Sequence, residues 1–361
     1  MERIMAGNYE VMARRWRPRS FAEVVGQSHV VRTLCNAIGS NRVAHAYLFV
    51  GPRGTGKTSM ARLLAMALNC PGGPSVDFNG EDATCTAIWR GEDLDVMEID
   101  GASHNSVEEV RELRERCAYG PAAGRYRIFI LDEVHMLSSA AFNALLKILE
   151  EPPTHVKFIF ATTEIAKVPA TILSRCQRFN FRPIGEEEIA THLSHIGKRE
   201  GIAAEPAALA AIARLSDGSM RDAQTLFDQI ITFHGNKLDE NSVLEMHGLP
   251  SSAELGELTT ILEEKDSERA LAIAKDWDGR GIDLHRSLID LQRILRRRLE
   301  EAAAEKSRRT ALLELLRTLQ DYGRHFPGVV SERATFAVAL LEAIENSRRR
   351  PIGEILEALG R

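Results

Sequence analysis

The 361 residues carry 51 acidic side chains against 46 Lys and Arg, a formal net charge of −5, which excludes a uniformly basic nucleic-acid coat and leaves such binding to local patches. The five cysteines, Cys35, Cys70, Cys85, Cys117 and Cys176, are odd in number and scattered, which argues against a disulfide scaffold and for a reducing compartment. The first residues lack the apolar segment of a secretory signal and no apolar run reaches membrane-spanning length, so a cytoplasmic protein of two or three domains, with no membrane partner, is expected.

Near the start, Arg14, Arg15, Arg17 and Arg19 surround Trp16. A charged face is usually only solvated, and Trp16 reads equally well as a domain anchor. The first predicted strand, at 47–50, runs into Gly51-Pro52-Arg53-Gly54-Thr55-Gly56-Lys57-Thr58, and a helical pattern follows from Ser59. That is a P-loop in its required strand, loop and helix context. Gly51, Gly54 and Gly56 let consecutive backbone N–H groups, with Thr55 and Ser59 in the same turn, close on a polyphosphate at the helix N-terminus. Lys57 is expected to reach the β and γ phosphates and Thr58 to supply a hydroxyl to Mg²⁺.

A second strand is predicted at 95–99 and a helix at 106–116. The third strand, 127–132, is apolar enough to be buried on both faces and ends in Asp132-Glu133. An isolated Asp-Glu pair is commonly just solvated; behind a P-loop, Asp132 is expected to hold the Mg²⁺ hydration shell and Glu133 to orient and deprotonate the attacking water. A helix at 139–150 and strands at 157–163 and 178–181 complete a parallel sheet of about five strands. After Pro183 the alternation stops. Helical patterns at 186–200, 205–215 and 220–234 define a small helical domain, and from about residue 250 further patterns run at 254–264, 267–276, 283–303, 311–322 and 332–346. The predicted domains are therefore 1–183 (α/β), 184–248 (helical lid) and 249–361 (helical collar). The arginine runs at 296–298 and 348–350 read by default as exposed helix faces.

Several strings carry a family resemblance: Ala13-Arg-Arg-Trp-Arg-Pro-Arg-Ser-Phe-Ala-Glu-Val-Val-Gly26-Gln27, the P-loop, Leu131-Asp132-Glu133-Val-His-Met-Leu-Ser, the run from Phe142 to Pro153, Ala161-Thr-Thr163, and Ile172-Leu-Ser174-Arg175-Cys176. The chain resembles the γ/τ subunits of the bacterial DNA polymerase III clamp loader, which are AAA+ ATPases. The resemblance implies a P-loop α/β domain with a five-stranded parallel sheet, a small helical lid and an all-α collar that holds an oligomer. It implies ATP and Mg²⁺ as ligands. As partners it implies the delta and delta-prime subunits, further gamma/tau copies, a sliding clamp and primer-template DNA.

By the same resemblance Arg175 is an arginine finger acting on a neighbour's nucleotide, although one arginine alone is more often a helix cap. Thr163 resembles sensor 1, and Arg221 resembles sensor 2, bridging the lid to the γ-phosphate. The adenine is expected near Tyr9, Arg14 and Val25. The family usually carries four cysteines after the P-loop helix, the last three with zinc-ligand spacing. Here Cys70 and Cys85 stand at the ends with Asn79 and Asp82 between them, so a degenerate zinc site is doubtful. The segment that tracks DNA in the family reads Ser103-His104-Asn105-Ser106, polar rather than basic. The sequence stops just after the expected collar, short of the tail by which the family's τ form reaches the helicase and the polymerase. Two other readings stay open: a non-catalytic clamp-loader scaffold and a different AAA+ DNA-remodelling ATPase.

Overall fold

The computed structural model describes residues 10–103, 107–302 and 305–348. The chain divides into two compact units, Met1–Leu238 and Asp239–Arg361.

The first unit is built on a five-stranded sheet of β1 (Ala46–Val50), β2 (Val96–Asp100), β3 (Arg127–Asp132), β4 (Val156–Thr162) and β5 (Gln177–Asn180), in the order β2-β3-β4-β1-β5. All four pairings are parallel. Strand residues point alternately to opposite faces, so a strand covered on both sides must be apolar at every position. Every residue of β1 and of β4 is buried, the Lys157 and Thr162 side chains included. From β1, Tyr47 and Phe49 join the core beneath the helices Ser28–Gly39 and Lys57–Asn69, while Ala46, Leu48 and Val50 join the core beneath Ser139–Glu150. In the second core Phe129, Phe158 and Phe160 stack with centroids 5.5 and 5.7 Å apart. Each of these rings contributes roughly 1.5–3 kcal/mol by burial.

The sheet order has a direct consequence for chemistry. Strand β4 lies between β3 and β1, which sets its C-terminal end between Asp132-Glu133 and the P-loop. Helices Glu186–Glu200, Pro206–Leu215 and Met220–His234 follow, with a two-residue parallel pair, β6 (Ala203–Ala204) and β7 (Lys237–Leu238). Neither this pair nor the helix Ala83–Arg90 is foreshadowed by periodicity.

Asp95 pins the loop that leads into β3. Its carboxylate accepts from the N–H groups of Ala122 (2.6 Å), Ala123 (2.8 Å) and Gly124 (2.7 Å), with Arg127 at 3.5 Å. Burial alone would raise its pKa, but these donors outweigh it and the pKa falls below the ordinary value. A carboxylate with a depressed native pKa contributes stability that is present above its unfolded pKa of about 3.9 and is lost as pH falls through the lower native value. Asp95→Asn is expected to cost about 2 kcal/mol at pH 7. In thermal melts the gap to wild type should narrow as pH drops below about 4, and a gap independent of pH would contradict the assignment.

The second unit contains helices Glu240–His247, Ser252–Glu264, Ser267–Gly279, Leu284–Glu301, Lys306–His325 and Glu332–Arg348. Their starts are written locally. Asp239, Ser251, Asp266 and Asp283 each cap a helix through a side-chain oxygen, and Ser251 with Glu254 forms a capping box. The core joins Leu255, Leu258, Trp277, Leu288, Leu291 and Phe336, with Trp277 stacked on Phe336 at 6.0 Å. Among the described residues no helix is long and apolar enough to cross a membrane.

Candidate active site

The phosphate cradle forms where β1 ends. Gly54 and Gly56 adopt φ of +73° and +95°, left-handed values that turn the loop back on itself. Gly56 is the N-cap of the helix Lys57–Asn69 and supplies no capping side chain, so the first N–H groups of that helix remain free for an anion. A Cβ at Gly56 would meet nothing within 4 Å, so the cradle is open on that side. Thr55 is buried and its hydroxyl donates to the Pro52 carbonyl (2.9 Å), bracing the loop from within.

Lys57 is 5% exposed, and its ammonium donates to the carbonyls of Gly51 and Pro52, both at 2.8 Å. Burial lowers its pKa, opposed by the nearby Glu133 and Asp132 carboxylates. The Thr58 hydroxyl donates to Asp132 Oδ2 at 2.6 Å. A hydroxyl beside a carboxylate offers the hard oxygen donors that Mg²⁺ takes one or two at a time, completing its shell with water and phosphate, so the residues fit that ion. Among the described residues no cluster of three His, Cys, Asp or Glu side chains could hold a metal without such help.

Glu133 leaves β3 in a left-handed conformation, φ +44°, unusual for a non-glycine residue. Its Oε2 accepts from both the backbone N–H and the hydroxyl of Thr163, each at 3.0 Å. Thr163 follows directly on β4, as the sheet order requires. The structure therefore brings together Gly51, Gly54, Thr55, Gly56, Lys57, Thr58, Ser59, Asp132, Glu133 and Thr163 of the predicted set.

The lid reaches this cradle through the start of the helix Met220–His234. The Met220 N–H donates to the Gly54 carbonyl at 3.1 Å. A Cβ built on Gly54 would lie 3.4 Å from Arg221 Cβ, which places Arg221 at the loop with its side chain exposed. Arg175 is held elsewhere. It donates to Glu150 Oε1 (2.7 Å), the Thr171 carbonyl (2.8 Å) and Ser174 Oγ (3.3 Å), none of them a P-loop residue.

The remaining predicted residues divide. Val25 is half-buried; Arg14 is exposed and paired with Glu10 at 3.1 Å; Tyr9 lies outside the described residues. Ser103 donates to Asp100 Oδ2 at 2.9 Å, whereas residues 104–106 of the polar stretch lie outside the described residues. Cys70 and Cys85 are buried, and burial first, then each other's neighbourhood and Asp82, pushes the Cys85 thiol up to about 11. The Asp82 carboxylate caps the helix Ala83–Arg90 and the Asn79 amide caps the turn before it. With both middle positions occupied in capping, the residues present do not fit a zinc ion.

The basic cluster around Trp16 takes its meaning from the fold. Trp16 is an anchor: its Nε1 donates to Glu200 Oε1 (3.0 Å) and its ring packs edge-on to His195, tying the N-terminal segment to the first lid helix. Arg17, beside it, is half-buried and its pKa is lowered to about 10 by burial and then by Arg62, with Arg221 and Arg14 adding to this against Glu98. Of the guanidiniums that act on it, Arg62 is paired with Glu98 (2.7 and 2.9 Å) and Arg14 with Glu10 (3.1 Å). Only the fold shows this, because Arg17, Arg62 and Arg221 come from three distant segments.

A parallel sheet ordered 5-1-4-3-2, a P-loop after the interior strand β1 and a helical lid docked on that loop define a nucleotide-binding domain of the AAA+ class. The likeness extends to solved structures: the Thermotoga maritima RuvB Holliday junction branch migration motor matches with a TM-score of 0.50 over 68% of this chain and 79% of its own, at 19% identity, a similarity of fold alone. Residues 26–185 match the family described as DNA polymerase III, delta subunit, and residues 188–236 the DNA polymerase III clamp loader subunit, ATPase lid domain. Subunit tau of Escherichia coli strain K12 is 44% identical over 290 residues, 80% of this chain and 45% of the relative. Subunit gamma of Buchnera aphidicola subsp. Acyrthosiphon pisum is 41% identical over 288 residues, 80% of each. The chain belongs to the gamma/tau clamp-loader subunit family of DNA polymerase III. It spans about half the length of the Escherichia coli relative, 45%.

Proposed function

We propose that the chain is an ATP-hydrolysing motor subunit which, in a cytoplasmic oligomer with delta, delta-prime and further gamma/tau copies, opens a sliding clamp and loads it on primer-template DNA. The observation that carries this reading is the intact set of Lys57, Thr58, Asp132 and Glu133 on one edge of the sheet, with the lid bonded to Gly54. A non-catalytic scaffold has no need of the full set.

In this reading the β and γ phosphates occupy the cradle, Lys57 exchanges its two carbonyl partners for phosphate oxygens, and Arg17 and Arg221 find their anion there. Mg²⁺ bound at Thr58 and Asp132 would supply charge neutralisation across the phosphates. Glu133 orients the water, and Thr163 lies between Glu133 and the γ-phosphate. Adenine sits by Val25 and Arg14. Because Met220 and Arg221 start a lid helix, occupancy of the cradle biases the lid angle, the differential contact that any ligand-driven switch requires. We further propose boundaries of 1–183 for the α/β domain, 184–248 for the lid and 249–361 for the collar.

Arg175 is proposed to complete a neighbour's site. Its pairing with the half-exposed Glu150 is a weak tether, worth well under 1 kcal/mol, so exchange for a γ-phosphate is cheap. In the assembled complex with clamp and primed DNA, Arg175→Ala is expected to lower kcat by about a hundredfold or more while ATP affinity changes less than threefold. Activity indifferent to clamp and DNA, or unaffected by the substitution, would overturn the clamp-loader reading and leave a P-loop ATPase with other partners.

A further inference from the structure

Resting on the assignment of Glu133 as the residue that activates water, we propose that His135 is a positioning residue for Glu133, holding one carboxylate oxygen so that the other is aimed at the water. His135 lies in the short turn Val134–Met136 and its side chain is 6% exposed. Its Nδ1 is 3.2 Å from Glu133 Oε2 and 3.0 Å from Thr162 Oγ1; its Nε2 is 3.4 Å from Glu164 Oε1. The ring hydrogen-bonds to the Thr162 hydroxyl and lies within 3.4 Å of two carboxylates, surroundings unlike those of an idle core residue.

The hydrogen-bond inventory gives the contact its direction. An ionised carboxylate only accepts, so a protonated Nδ1 is the tautomer that suits the Glu133 side of the ring. The Thr162 hydroxyl oxygen already accepts from the Glu164 N–H at 3.1 Å and has a second lone pair for Nδ1–H. Oε2 of Glu133 thus accepts from the N–H and hydroxyl of Thr163, and the Nδ1 edge of the His135 ring, bonded to Thr162 Oγ1, packs against it at 3.2 Å. Oε1 has no hydrogen-bond partner among the described residues. A carboxylate anchored through one oxygen and open at the other is the arrangement a general base needs, because its rotation about χ3 is removed before substrate arrives.

The left-handed backbone of Glu133 supports this. That conformation costs about 1 kcal/mol or more and persists only where surrounding contacts over-determine it. Its own N–H donates to Asp132 Oδ1 (3.0 Å), its carbonyl accepts from the Met136 N–H (2.9 Å), and its side chain is held by Thr163 with His135 packed alongside. Glu164, half-exposed and paired with Lys167 at 2.9 Å, steadies the ring from the other side without approaching the cradle itself.

The test is steady-state ATP hydrolysis by the whole chain in its assembled complex, with ATP binding titrated in parallel, for three variants. His135→Asn keeps an amide N–H where Nδ1 stands, whereas His135→Gln moves the donor outward to the Nε2 position. Glu164→Gln alters the outer partner of the ring and its exposed pairing with Lys167, away from Glu133 itself. The expected result is a kcat about tenfold down for His135→Gln with KM within twofold, at least half of wild-type kcat for His135→Asn, and about threefold down for Glu164→Gln. Equal impairment of the Asn and Gln variants, a kcat that rises, or an effect confined to KM would overturn the proposal. Should both His135 variants lose ATP binding through misfolding, an unchanged kcat in Glu164→Gln overturns it and the threefold fall supports it. A wild-type complex that binds ATP without hydrolysing it would instead sink the ATPase reading.

Discussion

Glu133→Gln is expected to bind ATP with wild-type affinity and to turn it over two to three orders of magnitude more slowly. The substitution keeps the shape of the side chain and an oxygen to receive the Thr163 N–H, so the left-handed turn at the end of β3 is retained. What it removes is basicity: an amide cannot take a proton from water, and general-base catalysis contributes typically 10²–10⁴-fold. Binding is expected to be untouched, because the groups proposed to meet the phosphates, Lys57 and the P-loop N–H groups, do not use Glu133 as a hydrogen-bond partner. Stopped-flow binding of a fluorescent ATP analogue, run beside steady-state hydrolysis, separates the two effects. A kcat within tenfold of wild type would remove Glu133 from the role of base, and a parallel loss of affinity would make it a structural residue.

Gly54→Ala is expected to abolish nucleotide binding by a different route. A Cβ at this position would stand 1.8 Å from Ser219 Oγ and 2.8 Å from Ser219 Cβ, on a residue whose φ of +73° already disfavours a side chain. Nor can Ser219 simply turn away, since its hydroxyl accepts from the Asp222 N–H at 3.2 Å and caps the helix that carries Arg221. Either the P-loop or the lid helix must shift, and each displaces groups that converge on the same anion. The left-handed backbone alone adds about 1 kcal/mol for alanine. ATP affinity should fall at least a hundredfold. Ser219→Gly removes both clashing atoms at a cost of a few tenths of a kcal/mol to the cap, so the double variant should recover at least tenfold of that loss. No recovery would show that the φ of residue 54, rather than the lid contact, decides binding.

Much of this architecture is legible in the residues. The strands of the sheet fall within a residue or two of their predicted places, because a strand buried on both faces must be a continuous apolar run, and 127–132 and 157–163 leave no other reading. Most long helices announce themselves by period and caps, although the amphipathic helix Ser28–Gly39 is missed. The helix Ala83–Arg90 and the pair β6 and β7 also escape notice, being short elements whose stability comes from tertiary packing rather than from pattern. Within the site, the P-loop and Asp132-Glu133 are readable because contiguous strings encode them. Arg17 and His135 are not, since Arg17 gains its meaning from Arg62 and Arg221, and His135 from Thr162 and Glu164.

The sequence by itself determined the class of chemistry: glycines that permit left-handed turns, a lysine and a threonine at a helix N-terminus, and two carboxylates at the end of a buried strand. Local sterics and local hydrogen bonding suffice for that, so short strings carry it. The tertiary structure alone decided which groups meet. The insertion of β4 between β3 and β1 put Thr163 against Glu133, and docking of the lid on Gly54 brought Arg221 to Arg17. Such contacts join residues 30 or more positions apart along the chain, as Thr163 and Glu133 are, and no periodicity records them, because they are fixed by the packing of whole elements rather than by the propensity of any one.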